Sequence, residues 1–144
     1  MQLLIPFPLL RVPSSLWFYF IANNDEEDSQ SSERAESELY STPSFNTVEE
    51  FWSIYDHLVR PNEMSTNFDC CLFRDGIKPF PDDPANMGGG KWTLRLRKGL
   101  ASRFWEEVIL ACIGGAHNMS QDFCGAIVTS RPEEDVLSVW CDHR

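Results

Sequence analysis

The chain has 144 residues, which is one domain by length and room for a single core. Hydrophobic residues make up 42% and charged residues 24%, the balance of a soluble globular protein rather than a disordered one. With 12 Lys+Arg against 22 Asp+Glu the formal charge is −10. That excludes a general electrostatic hold on nucleic acid, so any such contact has to be local and specific.

The N-terminal stretch up to residue 22 is apolar. No base precedes the apolar run, Arg11 splits it, and Pro6, Pro8 and Pro13 break a helix there. It is too interrupted for a membrane span, and these features weigh against a signal peptide, which stays open as the lesser alternative together with a secreted domain. Residues 15–21 are aromatic and β-branched and predict a buried strand. Residues 23–38 hold seven acids and one base, Arg34, and predict a solvated acidic loop.

Thr47 with Glu50 three residues later is a capping box. The apolar spacing of Val48, Phe51, Trp52, Ile54, Tyr55, Leu58 and Val59 then predicts a helix over 48–59, ended by Arg60-Pro61-Asn62. Trp52 falls at one edge of the apolar arc. A strand over 68–73 and a turn at Asp75-Gly76 follow. Pro79, Pro81 and Pro84 with Asp82 and Asp83 then make a loop that cannot be helix. Gly88, Gly89 and Gly90 lack the Gly-Lys-Ser/Thr ending of a phosphate loop and serve to carry the loop into a strand.

Lys91 to Lys98 alternates, with Trp92, Leu94 and Leu96 on one face and Lys91, Thr93, Arg95 and Arg97 on the other. Residues 91–103 contain five bases and no acid. Two readings fit this patch: a solvated strand face bridged to acidic loops, or a phosphate contact. Leu100–Ile113 predicts a second helix with one broad apolar face, stopped by Gly114-Gly115. Leu110 falls in its polar sector, between Glu106 and Arg103. Leu110 and Trp52 form a candidate anchor pair for an amphipathic partner helix, although a single exposed Leu is also ordinary. Strands over 124–129 and 136–140 end the pattern.

The five cysteines are odd in number and have no CxxC spacing. They read as buried free thiols in a reducing compartment, which predicts a cytoplasmic protein. Cys112, His117, Cys124, Cys141 and His143 match no zinc spacing, so no metal and no cofactor are expected. The three histidines have no paired nucleophile, so no enzyme is expected.

The ordered blocks SLWFYF, TVEEFW, DGIKP, GGGKW, RKGLASRFWEEVIL and CGAIVTSR…VLSVW resemble the cap-binding translation initiation factor family, the factor-4E family, and most of all its class-two branch. The resemblance implies an α+β fold over 1–144: a curved, mostly antiparallel sheet with helices on its convex face. It also implies binding of the 7-methylguanosine cap of mRNA on the concave face, in translation initiation or its repression. Scaffold or repressor proteins would dock a short helix on the convex face, and no membrane is involved. The cap residues it implies are Arg131 and Lys91 for the phosphates, Trp140 at the methyl group, Asp82 for the guanine edge and Phe80 as the nearby aromatic. The partner residues are Val48, Trp52, Glu106, Glu107, Leu110 and Gly114. Trp17, Trp92 and Trp105 are expected in the core.

The sequence departs from the family pattern at the stacking positions. Pro81 stands where a stacking tryptophan is expected, and Ala35 where a second aromatic should fall, with Tyr40 the nearest substitute. Val136 stands at a second phosphate-side lysine. The family domain continues past Trp140 into further strands and a third helix, so a chain ending at Arg144 is expected to leave a sheet edge unpaired. The alternative function is a protein-interaction module of the same fold that has lost most cap affinity.

Overall fold

The computed structural model describes residues 11–22, 39–114 and 122–142. The expected acidic loop over 23–38, Ala35, His117 and His143 lie outside the described residues.

Seven strands form one curved antiparallel sheet. They are β1 (Arg11–Ala22), β2 (Leu39–Ser41), β3 (Phe45–Thr47), β4 (Phe68–Arg74), β5 (Gly90–Arg97), β6 (Phe123–Ser130) and β7 (Glu134–Cys141). The order across the sheet is β2-β1-β4-β6-β7-β5, with β3 also paired to β1. Helices α1 (Val48–Tyr55) and α2 (Ala101–Ile113) pack on one face. The α+β expectation holds. The short strands β2 and β3 are too brief to carry a periodic signal and were not expected from the sequence.

Alternation along each strand divides the apolar residues between two faces. Leu16, Phe18, Leu72, Val128 and Leu137 join Phe51, Tyr55, Trp105 and Ile109 of the helices in the main core. Tyr19, Ile21, Cys71, Phe73, Cys124 and Ile127 form a second cluster on the open face, with Trp17, Phe80 and Trp140 packed against it. Cys70, Cys71, Cys112 and Cys124 are buried as expected, whereas Cys141 is only half-buried. Burial pushes all five thiols up, Cys112 to about 12, which favours the neutral form.

The Thr47 half of the capping box forms as expected, and Glu50 returns one residue further, to Asn46. Thr47 Oγ1 accepts from the Glu50 N–H at 3.2 Å, and Glu50 Oε2 accepts from the Asn46 N–H at 3.1 Å. Thr47 is buried, so no water can take the place of its hydroxyl. Thr47→Ala is therefore expected to lower unfolding free energy by about 1 kcal/mol in a urea titration, with the slope of the transition unchanged.

The first helix is shorter than the periodicity predicts: it ends at Tyr55, not near Val59. Arg60 causes this. Its Nη1 donates to the Tyr55 carbonyl at 2.8 Å, and its guanidinium lies 3.7 Å from the Tyr55 ring centroid. That bond satisfies a terminal carbonyl and folds the chain back before Pro61.

Two glycines fix where the open-face residues sit. At Gly125 a Cβ would run into the Phe73 ring. The register slips beside it, from Phe123 opposite Cys141 to Gly125 opposite Trp140, a β-bulge at Cys124. Phe73 can therefore meet Trp140 edge to face, with centroids 5.9 Å apart at 72°. At Gly89 a Cβ would strike the Cys141 carbonyl, so the loop before β5 lies directly against the end of β7.

Trp92 corrects an expectation. Trp105 is buried and Trp17 is half-buried, but Trp92 is 78% exposed. It stands on the outer strand β5, where α2 does not reach over it. With Leu94, Phe104, Val108, Ala111 and Val139 it walls a groove of about 470 Å³ on the helix-bearing side.

Candidate functional site

The open face gathers one group of the expected residues at the β7 end. Trp140 is half-buried, held by Phe73 on one side, and its Nε1 donates to Ser138 Oγ at 3.4 Å. Lys91 is opposite Trp140 in the β5–β7 ladder, and its Nζ lies 5.6 Å from the indole centroid. Such a cation over a ring face is a favourable pairing. Phe80 reaches the same cluster from the 75–89 loop.

The loop holds itself in shape with Asp83. Its Oδ2 accepts from the Lys78 N–H and its Oδ1 from the Ala85 N–H, both at 3.0 Å. Asn86 Nδ2 donates to the Lys78 carbonyl at 2.9 Å and the Phe80 carbonyl at 2.8 Å. This leaves the neighbouring Asp82 exposed, with Pro81 exposed beside it. The sequence shows two adjacent aspartates. Only the hydrogen bonds separate the structural one from the free one.

Arg131 is not beside Trp140. It is exposed in the β6–β7 turn, where its N–H donates to the Glu134 carbonyl at 3.0 Å. Trp140 is six positions along β7 from Glu134, a span of roughly 20 Å at about 3.3 Å per residue. Only an extended ligand can engage both ends. Between them on this face lie Ser138 and Val136 of β7, with Thr93 and Arg95 opposite them on β5. The ladder thus sets Arg95 beside Val136, a basic side chain that the family resemblance does not number among the site residues. Its alternation places Arg95 on the same face as Lys91.

Tyr40 cannot serve as a stacking aromatic here. It is opposite Phe20, and directly opposed residues of an antiparallel pair share a face. Phe20 packs into the helix-side core, so Tyr40 points away from the open face.

On the helix-bearing side, Trp52 is 38% and Leu110 41% exposed. Trp52 rests edge-on against Phe51 and Tyr55, at 5.0 and 5.8 Å. Glu107 and Gly114 are exposed and Glu106 is half-buried. Burial pushes the Tyr55 hydroxyl up, the charge of Arg60 opposes this, and the charge of Glu106 adds to it. Val48 departs from the expected exposed strip: as the first residue of α1 it turns inward and packs half-buried against the core. Among the described residues, no three His, Cys, Asp or Glu side chains converge as metal ligands, and no helix is long and apolar enough to cross a membrane.

A curved antiparallel sheet with two helices on one face and an aromatic, basic-edged open face defines a known class, and residues 11–144 match the family described as "Eukaryotic initiation factor 4E". The chain belongs to that family. It is 45% identical over 96 residues to the eukaryotic translation initiation factor NCBP of Triticum aestivum, covering 67% of this chain and 41% of that protein. It is 46% identical over 94 residues to the eukaryotic translation initiation factor 4E-4 of Caenorhabditis elegans, covering 65% of this chain and 44% of that protein. The chain thus spans less than half the length of these curated relatives. Among solved structures, eIF4E-3 of C. elegans, in complex with the 4E-binding protein Mextli and a cap analog, superposes with a TM-score of 0.81 at 27% identity. That match covers 94% of this chain and 75% of the other. Ascaris suum eIF4E-3 with an m2,2,7G cap superposes with a TM-score of 0.83 at 28% identity, covering 94% and 74%.

Proposed function

We propose that this chain is a non-catalytic cytoplasmic binding protein of translation that takes the 7-methylguanosine end of mRNA on its open face. The observation that carries this reading is the Lys91–Trp140 pair, on the open-face cluster that Phe80 also packs against, with Arg131 in the turn before β7. The methylated base is a delocalised cation, which favours aromatic faces and a carboxylate. Trp140 and Phe80 supply the aromatic surface and Asp82 the acceptor for the guanine edge. Lys91 and Arg131 supply charge to the phosphate bridge.

The experiment compares 7-methyl-GTP with 7-methylguanosine. The triphosphate is expected to bind more tightly, and Lys91→Ala and Arg131→Ala are each expected to remove about 1 kcal/mol of that advantage, roughly fivefold. An advantage that survives both substitutions counts against this placement of the phosphates.

On the helix-bearing side, Trp52 and Leu110 with Glu106, Glu107 and Gly114 present a surface for an amphipathic helix of a scaffold or repressor, with half-buried Val48 as its floor. The binding of Mextli by the C. elegans relative supports this reading. A second reading keeps this surface and gives up most cap affinity. It is favoured by exposed Pro81 at the stacking position and by Tyr40 facing away.

A further inference from the structure

We infer that Phe73, Gly125 and Ser138 are positioning residues that turn the Trp140 indole toward a methylated base, and that they set the preference of the open face for methylated over unmethylated guanine. The inference rests on the cap reading and extends it to residues that touch no ligand.

Five strands bring one residue each into a row across the open face. The register pairs Trp17 with Phe73, Phe73 with Gly125, Gly125 with Trp140 and Trp140 with Lys91. Directly opposed residues share a face, so a side chain at 125 would stand between Phe73 and Trp140. Gly125 supplies none, and the buried Phe73 ring lies where its Cβ would be. Strands two apart are separated by roughly 9.6 Å. The two rings nevertheless meet edge to face, with centroids 5.9 Å apart at 72°, because Phe73 closes the gap over Gly125. The second fixture lies on β7 itself. Trp140 Nε1 donates to Oγ of buried Ser138 at 3.4 Å, two residues back on the same face.

The angle matters because an aromatic ring has negative faces and a positive edge. A cation gains over a face and loses at the edge, so one indole can favour or disfavour a methylated base according to how it is turned. In the posture that Phe73 and Ser138 fix, a face is open to a cation: Lys91 Nζ stands over the ring, 5.6 Å from its centroid. Phe73 meets the indole from the β4 side and Lys91 from the β5 side. An uncharged guanine takes no comparable gain from the ring face. The posture therefore bears on the methyl-dependent part of binding, whereas phosphate contacts are common to both nucleotides.

The test titrates the full chain and its variants with 7-methyl-GTP and with GTP. The readout is the ratio of the two affinities, from which any unfolded fraction cancels. The parent is expected to prefer 7-methyl-GTP by about fivefold or more. Phe73→Leu is expected to bring the ratio below about twofold, with the loss falling on 7-methyl-GTP. Ser138→Ala, which keeps the ring contact, should lower the ratio by about twofold. Gly125→Ala drives a methyl into the Phe73 ring and should lower both the ratio and the melting temperature. Gly125→Ala/Phe73→Leu separates positioning from packing. Removal of the ring makes room for the new methyl, so the melting temperature recovers while the ratio stays low. In the ligand-free chain labelled with fluorotryptophan, the fluorine NMR line that Trp140→Phe deletes should move in Phe73→Leu and in the double variant. A ratio that Phe73→Leu leaves at the parent value, or that returns with the melting temperature in the double variant, overturns the inference, as does a Trp140 line that stays in place. Should Phe73→Leu not fold, Ser138→Ala decides, and an unchanged ratio overturns it. A parent ratio near one overturns the cap reading itself, and the inference falls with it.

Discussion

Pro81→Trp raises the affinity for 7-methyl-GTP by at least about tenfold in a fluorescence-quenching titration. Position 81 is exposed, so a large side chain enters without disturbing the core. Its neighbour Phe80 already packs with the Trp140 cluster, so an indole at 81 emerges from the same short loop. Base–aromatic stacking contributes about 1–3 kcal/mol per aromatic face, and proline supplies no such face. Asp82→Ala in the Pro81→Trp background should abolish the gain, because stacking without an acceptor for the guanine edge does not fix the base in register. An affinity that Pro81→Trp leaves unchanged means that the loop does not cover the ligand, and the assignment of Phe80 and Asp82 falls with it.

Trp52→Ala weakens binding of an amphipathic 4E-binding helix by about 2 kcal/mol, roughly 30-fold, in a peptide titration. Trp52 suits an anchor because its inner edge is already held by Phe51 and Tyr55 while the rest is exposed. A partner therefore gains a large apolar surface at little cost in side-chain freedom. Leu110→Ala should cost less, since the surface removed is smaller. Far-UV circular dichroism and melting temperature separate a binding defect from unfolding. If Trp52→Ala binds like the parent, the strip on the two helices is ordinary surface.

Some of this arrangement is legible in the residues themselves. The Thr47–Glu50 cap is a local device, and it forms where its spacing says. The alternation from Lys91 to Arg97 is equally local, and it correctly assigns the basic residues to one face and Trp92, Leu94 and Leu96 to the other. What is not legible depends on partners distant in sequence. Trp92 has the pattern of a core residue, yet on the outer strand β5 it is left exposed at the rim of a groove beside α2. Only the register with Phe20 turns Tyr40 away from the open face. The end of α1 depends on Arg60 returning to the Tyr55 carbonyl, a bond that hydrophobic spacing cannot encode. In the site, Arg95 becomes relevant only once the β5–β7 ladder sets it beside Val136. Asp82 and Asp83 look equivalent until the backbone N–H groups of Lys78 and Ala85 claim one of them.

The central claim is that the open face recognises a methylated, cationic guanine. The most direct measurement is a calorimetric titration of the full chain with 7-methyl-GTP and, in parallel, with GTP. The two ligands carry the same phosphates, so contacts to the phosphates do not distinguish them. A preference must come from Trp140, Phe80 and Asp82 acting on the charge of the methylated base. The expected result is weak binding of 7-methyl-GTP with a preference of about fivefold or more over GTP. Equal binding of the two nucleotides, or no heat from 7-methyl-GTP at millimolar concentration, would contradict it.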